Sequence, residues 1–106
     1  MTDLTKTELA WLDFHQAHPV IASHFLTEAV LAYEGKRRRG VDPDRVRLSA
    51  KRVWETLRDK FDGVPTPSGQ AYGLNNNYTP YYARLAERIE PRLRGCFAKR
   101  KTSAEK

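Results

Sequence analysis

The feature that most constrains the fold of this chain is the helical spacing of its apolar residues, which recurs in four separate stretches. The clearest stretch follows Thr79 and Pro80. Threonine suits the N-cap of a helix, and proline suits the first helical position because its missing N–H would have no intrahelical partner there. The stripe expected to be buried consists of Tyr82, Leu85, Ala86 and Ile89. A helix is therefore predicted over residues 80–90, closed by Pro91.

Two further helices are predicted in the first third of the chain. Thr5 and Glu8 have the spacing of a capping box, so a helix is expected from there to about Ala17. Its candidate buried residues are Leu9, Leu12 and Trp11. Pro19 ends this helix and starts the next, which is predicted to end at Gly35 in a C′ position. The apolar stripe of the second helix is Ile21, Phe25, Ala29 and Ala32, flanked by Leu26, Val30 and Tyr33.

A third helix and some short β structure are predicted in the middle of the chain. Ser49 is the expected cap of a helix whose apolar face is Ala50, Val53, Trp54, Leu57 and Phe61. Residues 45–48 alternate polar and apolar side chains, which is typical of a short strand. Residues 62–73 are rich in glycine and proline and indicate a loop or an exposed hairpin, with a strand over residues 70–74. Residues 92–97 are expected to return Leu93 and Phe97 to the core.

The order of these elements predicts a mainly α fold with a minor β element. It is compatible with a winged helix-turn-helix, in which residues 50–61 form the supporting helix and residues 80–90 the recognition helix. The connection between those two helices is longer than the usual tight turn, and a small helical bundle is the alternative fold. Residues 1–98 are predicted to form a single compact domain, and residues 99–106 a basic, disordered tail.

The charge of the chain is divided unevenly along its length. Residues 1–35 carry one base and five acids, a net charge of −4, whereas residues 36–106 carry 18 bases and eight acids, a net charge of +10. Such a division favours a polyanionic partner for the second part, most often nucleic acid. The alternative is a basic protein that its charge merely keeps in solution.

Three groups of residues are candidates for contacting nucleic acid. Four adjacent bases cannot all lie in a core, and the predicted helix over 80–90 turns an aromatic and basic face away from its buried stripe. A third basic group lies in the tail. The candidate nucleic-acid-binding residues are Lys36, Arg37, Arg38, Arg39, Tyr81, Arg84, Arg88, Lys99, Arg100 and Lys101. In the structural alternative, Arg84 pairs with Glu87 on an ordinary solvated helix.

No pattern of catalytic or metal-binding residues is found. The chain has no phosphate-cradling glycine loop and no nucleophile–base constellation, so a non-enzymatic protein without cofactors is expected. His15, His18 and His24 lack a completing ligand set, and Cys96 is expected to be a small buried side chain. No apolar run is long enough to span a membrane, and no secretion signal is evident. A cytoplasmic protein is therefore expected.

The chain resembles a group of small uncharacterised proteins of bacteriophages and prophages. The most specific landmark is the segment Leu-Asn-Asn-Asn-Tyr-Thr at residues 74–79, followed by Tyr-Ala-Arg at residues 82–84. The group has a small residue and a base where this chain has Pro80 and Tyr81. The resemblance implies a phage context. The expected function is that of a small phage-type regulatory protein that binds double-stranded DNA; the alternative is a phage effector that binds a host protein. Homodimerisation is compatible with both.

Overall fold

A computed structural model describes residues 5–97, which form a mainly helical fold, as the sequence predicts. The four α-helices are α1 (Lys6–Ala17), α2 (Pro19–Arg38), α3 (Ala50–Phe61) and α4 (Thr79–Ile89). Single turns of 3-10 helix lie at Pro43–Arg45, Asn76–Tyr78 and Pro91–Leu93. Helices α2, α3 and α4 pack against one another, and α1 packs on α2 and on the turn before α4. None of the helices in this part of the chain is long and apolar enough to cross a membrane.

The predicted helix starts at Thr5 and Ser49 are confirmed. The Thr5 hydroxyl accepts a hydrogen bond from the amide of Glu8 at 3.0 Å, and the Glu8 carboxylate accepts one from the amide of Thr5 at 3.2 Å. This reciprocal pair is a complete capping box. The hydroxyl of Ser49 accepts a hydrogen bond from the amide of Arg52 at 3.2 Å. Both caps satisfy amides that the first helical turn leaves without partners.

Thr5→Ala is expected to lower the free energy of unfolding by about 1 kcal/mol, because the alanine side chain cannot accept a hydrogen bond from the amide of Glu8. Helix α1 has no fully buried residue, so its helical conformation depends on such local bonds more than that of the other α-helices does. Thermal denaturation monitored by circular dichroism measures the change. Thr5→Ser is the matched control because it retains the hydroxyl. An equal loss in both variants would contradict the capping role.

Helix α2 ends at Arg38, three residues beyond the predicted end at Gly35. The left-handed residue that closes the helix is Gly40, with a φ of 95°. Its amide donates to the carbonyl of Arg37 at 3.0 Å, and the amide of Val41 donates to that of Lys36 at 3.1 Å. This is the bonding of a Schellman motif. The prediction placed the correct cap type at the wrong glycine, because Lys and Arg continue a helix well and their charges favour its C-terminus.

One aromatic and aliphatic core joins all the helices except α1, which lies on its edge. Trp54 is 1% exposed, and its ring stacks on Tyr82 with 5.3 Å between centroids. The ring centroid of Phe25 lies 5.8 Å from that of Tyr82 and 5.9 Å from that of Phe97. The apolar face predicted for α3 is confirmed, with Val53, Trp54 and Leu57 buried and Ala50 and Phe61 packed against them. The predicted burial of Cys96, Leu93 and Phe97 is also confirmed.

Three expected core positions are wrong. Leu9 is 50% exposed and Ile89 is 55% exposed, and Ala32 also faces solvent. Helix α1 turns its aromatic residues toward the protein, which leaves Leu9 outside. Helix α4 ends at Ile89, and the following turn at Pro91 places the fully buried Leu93 in the core beyond it. Helical spacing identifies a face but not the point at which a helix leaves the core.

The start of α4 also differs in detail from the prediction. Thr79 is the first residue of the helix, and its hydroxyl donates back to the carbonyl of Asn76 at 2.8 Å. The asparagines form the turn before the helix. The Asn75 side chain accepts a hydrogen bond from the amide of Asn77 at 2.8 Å. The chain thus enters α4 through a 3-10 turn that asparagine side chains favour.

The β structure in residues 5–97 consists of three isolated bridges. Leu48 pairs with Phe97 and Asp62 with Tyr72 in parallel, and Pro65 pairs with Ala71 in antiparallel orientation. The strand predicted over residues 45–48 is therefore reduced to one paired position, Leu48, and the strand predicted over residues 70–74 to two, Ala71 and Tyr72. Pro43–Arg45 and Pro91–Leu93 instead form 3-10 turns. Proline favours such turns because its fixed φ suits them and because it has no N–H for a strand ladder.

Candidate nucleic-acid interface

The first candidate surface lies at the C-terminal end of α2. We call it the basic end, formed by Lys36, Arg37, Arg38, Arg39, Arg45, Arg47 and Arg94. Lys36 joins two of its segments, because its Nζ atom donates to the carbonyl of Arg47 at 2.6 Å. The backbone amide of Leu48 donates to the carbonyl of Cys96 at 2.8 Å, which brings the segment of Arg94 to the same end. Residues far apart in sequence thus contribute to one basic surface.

The arginines of the basic end differ in whether they bond to the rest of the protein. Arg37 donates to the carbonyl of Val41 at 2.9 Å, and Arg47 donates to the carbonyls of Asp44 and Val46 at 3.1 and 3.0 Å. Arg38, Arg39, Arg45 and Arg94 are exposed and make no side-chain hydrogen bond or ion pair with any of the residues 5–97. These four guanidinium groups are available to an external anion.

Arg92 lies beside the basic end but is already neutralised. It contacts the carboxylates of Glu90 at 3.1 Å and Glu34 at 2.7 Å. Its bonds to Glu90 and then Glu34 raise the pKa of Arg92 above the ordinary value. The ion pair with Glu34 also joins the turn after α4 to α2. Arg92 is therefore better suited to joining the helices than to contacting a phosphate.

Sequence reasoning missed Arg45, Arg47 and Arg94 as members of the basic surface. The alternation of polar and apolar residues over 45–48 could have identified Arg45 and Arg47. Because Val46 and Leu48 are buried, the arginines before and between them must face outward. The sequence does not show that Leu48 pairs with Phe97, and this pairing brings residues 94–97 to the basic end. The predicted candidates Lys99, Arg100 and Lys101 lie outside the described residues.

The second candidate surface is the face of α4 that was predicted to point away from the core. Arg84 and Arg88 are exposed there, as expected. Tyr81 is half-buried, since its ring stacks on Trp11 of α1 with 5.3 Å between centroids and 23° between planes. The guanidinium carbon of Arg84 lies 5.7 Å from the centroid of Tyr81, and no ion pair joins Arg84 to Glu87. The accessible Tyr81 that the sequence suggested is thus an internal contact.

Within the part of the chain that the structure describes, the two surfaces make no direct side-chain bond to each other. No hydrogen bond, ion pair or cation–π contact within residues 5–97 links the basic end to Tyr81, Arg84 or Arg88. A cleft of about 370 Å³ at the C-terminal end of α3 is lined by Glu55, Arg58, Asp59 and Asp62. An extended anion would be repelled from that acidic cleft. The basic end has four exposed arginines without a hydrogen-bond or ion-pair partner within residues 5–97, whereas the face of α4 has Arg84 and Arg88.

The remaining candidate residues serve the packing of the fold. His15 stacks on Trp11, His18 contacts Phe14 and Tyr72, and His24 contacts Phe61 through ring edges. No group of three potential metal ligands occurs in the part of the chain that the structure describes. Burial raises the pKa of the Cys96 thiol, which keeps it protonated and unreactive near neutral pH. Burial likewise raises the pKa of Tyr82.

Comparison with protein-family models, with curated proteins and with solved structures finds no match for this chain.

Proposed function

We propose that this protein binds nucleic acid, double-stranded DNA above all, through the basic end. The observation that carries the proposal is the group of exposed guanidinium groups at Arg38, Arg39, Arg45 and Arg94, which lack partners within residues 5–97. Residues 36–48 contain six bases and two acids, a local net charge of +4. Arginine matches the geometry of a phosphate group with its fork of N–H donors.

The basic end supports contacts to the phosphate backbone more than readout of bases. Phosphate contacts need exposed cations at several points of a surface, and they carry no sequence information themselves. Arg37 bonds to the carbonyl of Val41, next to Gly40, and Lys36 bonds to the carbonyl of Arg47. These two bonds order the backbone of the basic end, and the free arginines are exposed on it. Binding should therefore be strongly salt-dependent and only weakly selective for sequence.

A purely structural role explains part of this surface but not all of it. Cations near the C-terminus of a helix interact favourably with its unsatisfied carbonyl groups. Lys36, Arg37 and Arg38 lie in the last turn of α2 and fit that role by position. Lys36 and Arg37 also bond to the later carbonyls of Arg47 and Val41. Arg39, Arg45 and Arg94 lie outside α2 and make no such bond. Their exposure favours the proposed binding role.

A more specific version of this proposal is that the protein binds DNA as a winged helix-turn-helix. Helices α3 and α4 pack against each other, and the segment between them contains the antiparallel pair Pro65 and Ala71. In this form α3 supports α4, and α4 places Arg84 and Arg88 in the major groove. The position of α1 beside that face weakens this form of the proposal, because Tyr81 is already committed to Trp11.

Neutralising both Arg84 and Arg88 to alanine tests the groove-reading form. We expect the affinity for random duplex to change little, because the basic end supplies the phosphate contacts. If α4 reads base edges, each lost contact should instead cost about 1–3 kcal/mol and relax specificity at one position. Fluorescence anisotropy with random duplexes and with duplexes selected by the wild type measures both quantities. Retained affinity with lost specificity would establish α4 as the reading helix.

The alternative of a host-protein effector depends on the tyrosines. An apolar patch beside exposed Tyr72, Tyr78 and Tyr81 would favour it, but Tyr72 is buried and the other two are half-buried. The DNA-binding proposal is therefore the better supported of the two. The resemblance to phage proteins makes a regulator the expected biological role of such a DNA-binding protein.

The surface itself can be tested by mapping chemical shifts on the full-length protein. Addition of a short duplex is expected to shift the backbone amides of Arg38, Arg39, Arg45 and Arg94, together with that of Gly40. The amides of α1 should be unaffected, because the N-terminal part of the chain is acidic. Shifts confined to α4, or to the acidic cleft of α3, would contradict the proposed surface.

A further inference from the structure

A cleft between α1 and α4 has a different character from the basic end. Its volume is about 150 Å³, and it is lined by Glu8, Trp11, Tyr81, Arg84, Leu85 and Arg88. The indole of Trp11, the ring of Tyr81 and the side chain of Leu85 supply apolar surface. The two arginines supply positive charge at positions one helical turn apart. An apolar cleft with a pair of cations is suited to a ligand that is itself apolar and acidic.

The aromatic rings of the cleft are arranged as a stack. His15 and Trp11 lie 5.3 Å apart between centroids and are nearly parallel, at 6°. Trp11 and Tyr81 also lie 5.3 Å apart, and the guanidinium of Arg84 lies over the ring of Tyr81. These contacts fix the rings as a preorganised wall, which lowers the entropy lost on binding. They also commit the ring faces to internal partners, which disfavours stacking of a nucleobase.

The charge within the cleft is incompletely balanced. Arg84 and Arg88 make no ion pair with any of the residues 5–97, although Glu8 lines the same cleft. The carboxylate of Glu8 instead accepts the amide of Thr5 in the capping box. Like charges at i and i+4 on a helix repel each other. An external carboxylate would relieve this repulsion and receive charge-assisted hydrogen bonds from guanidinium donors.

We propose that this cleft binds an acidic side chain of a partner protein, with an adjacent apolar side chain against Trp11 and Leu85. Arg84 and Arg88 would bind the carboxylate, and the apolar surface around them would strengthen the attraction by excluding water. Tryptophan, tyrosine and arginine are the residue types that dominate the binding energy of protein interfaces. The site shares no residue with the basic end, and it assigns to a carboxylate the Arg84 and Arg88 that the groove-reading form assigns to DNA.

A titration of the full-length protein with short peptides tests this inference. The probes are acetyl-Glu-Leu-Glu-amide and its neutral counterpart acetyl-Gln-Leu-Gln-amide, and the readout is the indole N–H signal of Trp11 in NMR spectra. Trp54→Phe identifies which of the two indole signals belongs to Trp11. The acidic peptide is expected to shift that signal saturably, whereas the neutral peptide should leave it unchanged.

Two variants separate the proposed contacts from general charge effects. Arg84→Gln combined with Arg88→Gln should weaken binding of the acidic peptide about 10-fold or more, as expected for lost charge-assisted hydrogen bonds. Glu8→Gln should strengthen it, because the competing negative charge is removed while glutamine preserves the capping box. Arg38→Gln is the control and should have no effect. All these side chains are exposed or half-buried, so the variants should fold.

Inorganic phosphate and a short duplex are the competing probes. If phosphate and the duplex each shift the Trp11 signal less than the acidic peptide does, the result supports the peptide site. The inference would be overturned if the acidic peptide caused no shift, if the neutral peptide caused an equal one, or if the arginine double variant bound as well as the wild type. Tighter binding of phosphate or duplex at the same signal would assign the cleft to nucleic acid instead. Loss of duplex binding at the basic end would leave these outcomes unaffected.

Discussion

Replacing Trp54 with alanine is expected to lower the free energy of unfolding by about 3–5 kcal/mol. Trp54 is 1% exposed, and its ring centroid lies 6.5 Å from that of Phe25 and 5.3 Å from that of Tyr82. Alanine would leave a cavity where α2, α3 and α4 meet. A domain of this size has a total stability of roughly 5–15 kcal/mol. The loss should therefore be visible as a large decrease in the urea midpoint.

Trp54→Phe is the matched control for this substitution. The indole Nε1 atom has no hydrogen-bond partner among the described residues, so phenylalanine removes no polar contact. It also keeps an aromatic ring against Tyr82, and the loss of stability should be clearly smaller than for alanine. An unchanged urea midpoint in Trp54→Ala would contradict the core placement and therefore the packing of α3.

Neutralising Arg38 and Arg39 to alanine is expected to weaken duplex binding by roughly 10- to 100-fold at about 0.1 M salt. Each lost phosphate contact should reduce the slope of log affinity against log salt by about 0.9, so the double variant should lose about 1.8. Both side chains are exposed and make no hydrogen bond within residues 5–97, so stability should be nearly unchanged. Anisotropy titrations at several salt concentrations measure both quantities.

The double variant of Arg84 and Arg88 to alanine is the control, because it removes the same charge from another surface. It should retain most of the salt slope for random duplex. Equal losses in the two double variants would show that net charge alone determines binding. A full loss with the Arg84 and Arg88 variant alone would transfer the interface to α4.

The helices of this protein could be predicted because local chemistry specifies them. The Thr5 and Ser49 caps and the break at Pro19 depend on residues close in sequence, and each was confirmed. The end of α2 could not be located, since Gly35 and Gly40 are both plausible stops. Lys36, Arg37 and Arg38 continue the helix beyond Gly35, and the bond from Lys36 to the carbonyl of Arg47 joins segments that are distant in sequence.

The candidate surfaces were harder to predict because they depend on packing between distant segments. Helical spacing correctly separated Tyr82 from Arg84, but it could not show that Trp11 would cover Tyr81. Nor could it show that the pairing of Leu48 with Phe97 would bring Arg47 and Arg94 toward the end of α2. Periodicity describes each element by itself, whereas a surface is formed by the way in which elements meet.

The affinity of the wild-type protein for a random duplex, measured at about 50 and 200 mM salt, tests the central claim most directly. If the four free arginines of the basic end each contact a phosphate, the affinity should fall roughly 100-fold between these conditions. A protein that shows no measurable duplex binding at the lower salt concentration, or one whose affinity is the same at both, would contradict the proposed nucleic-acid interface.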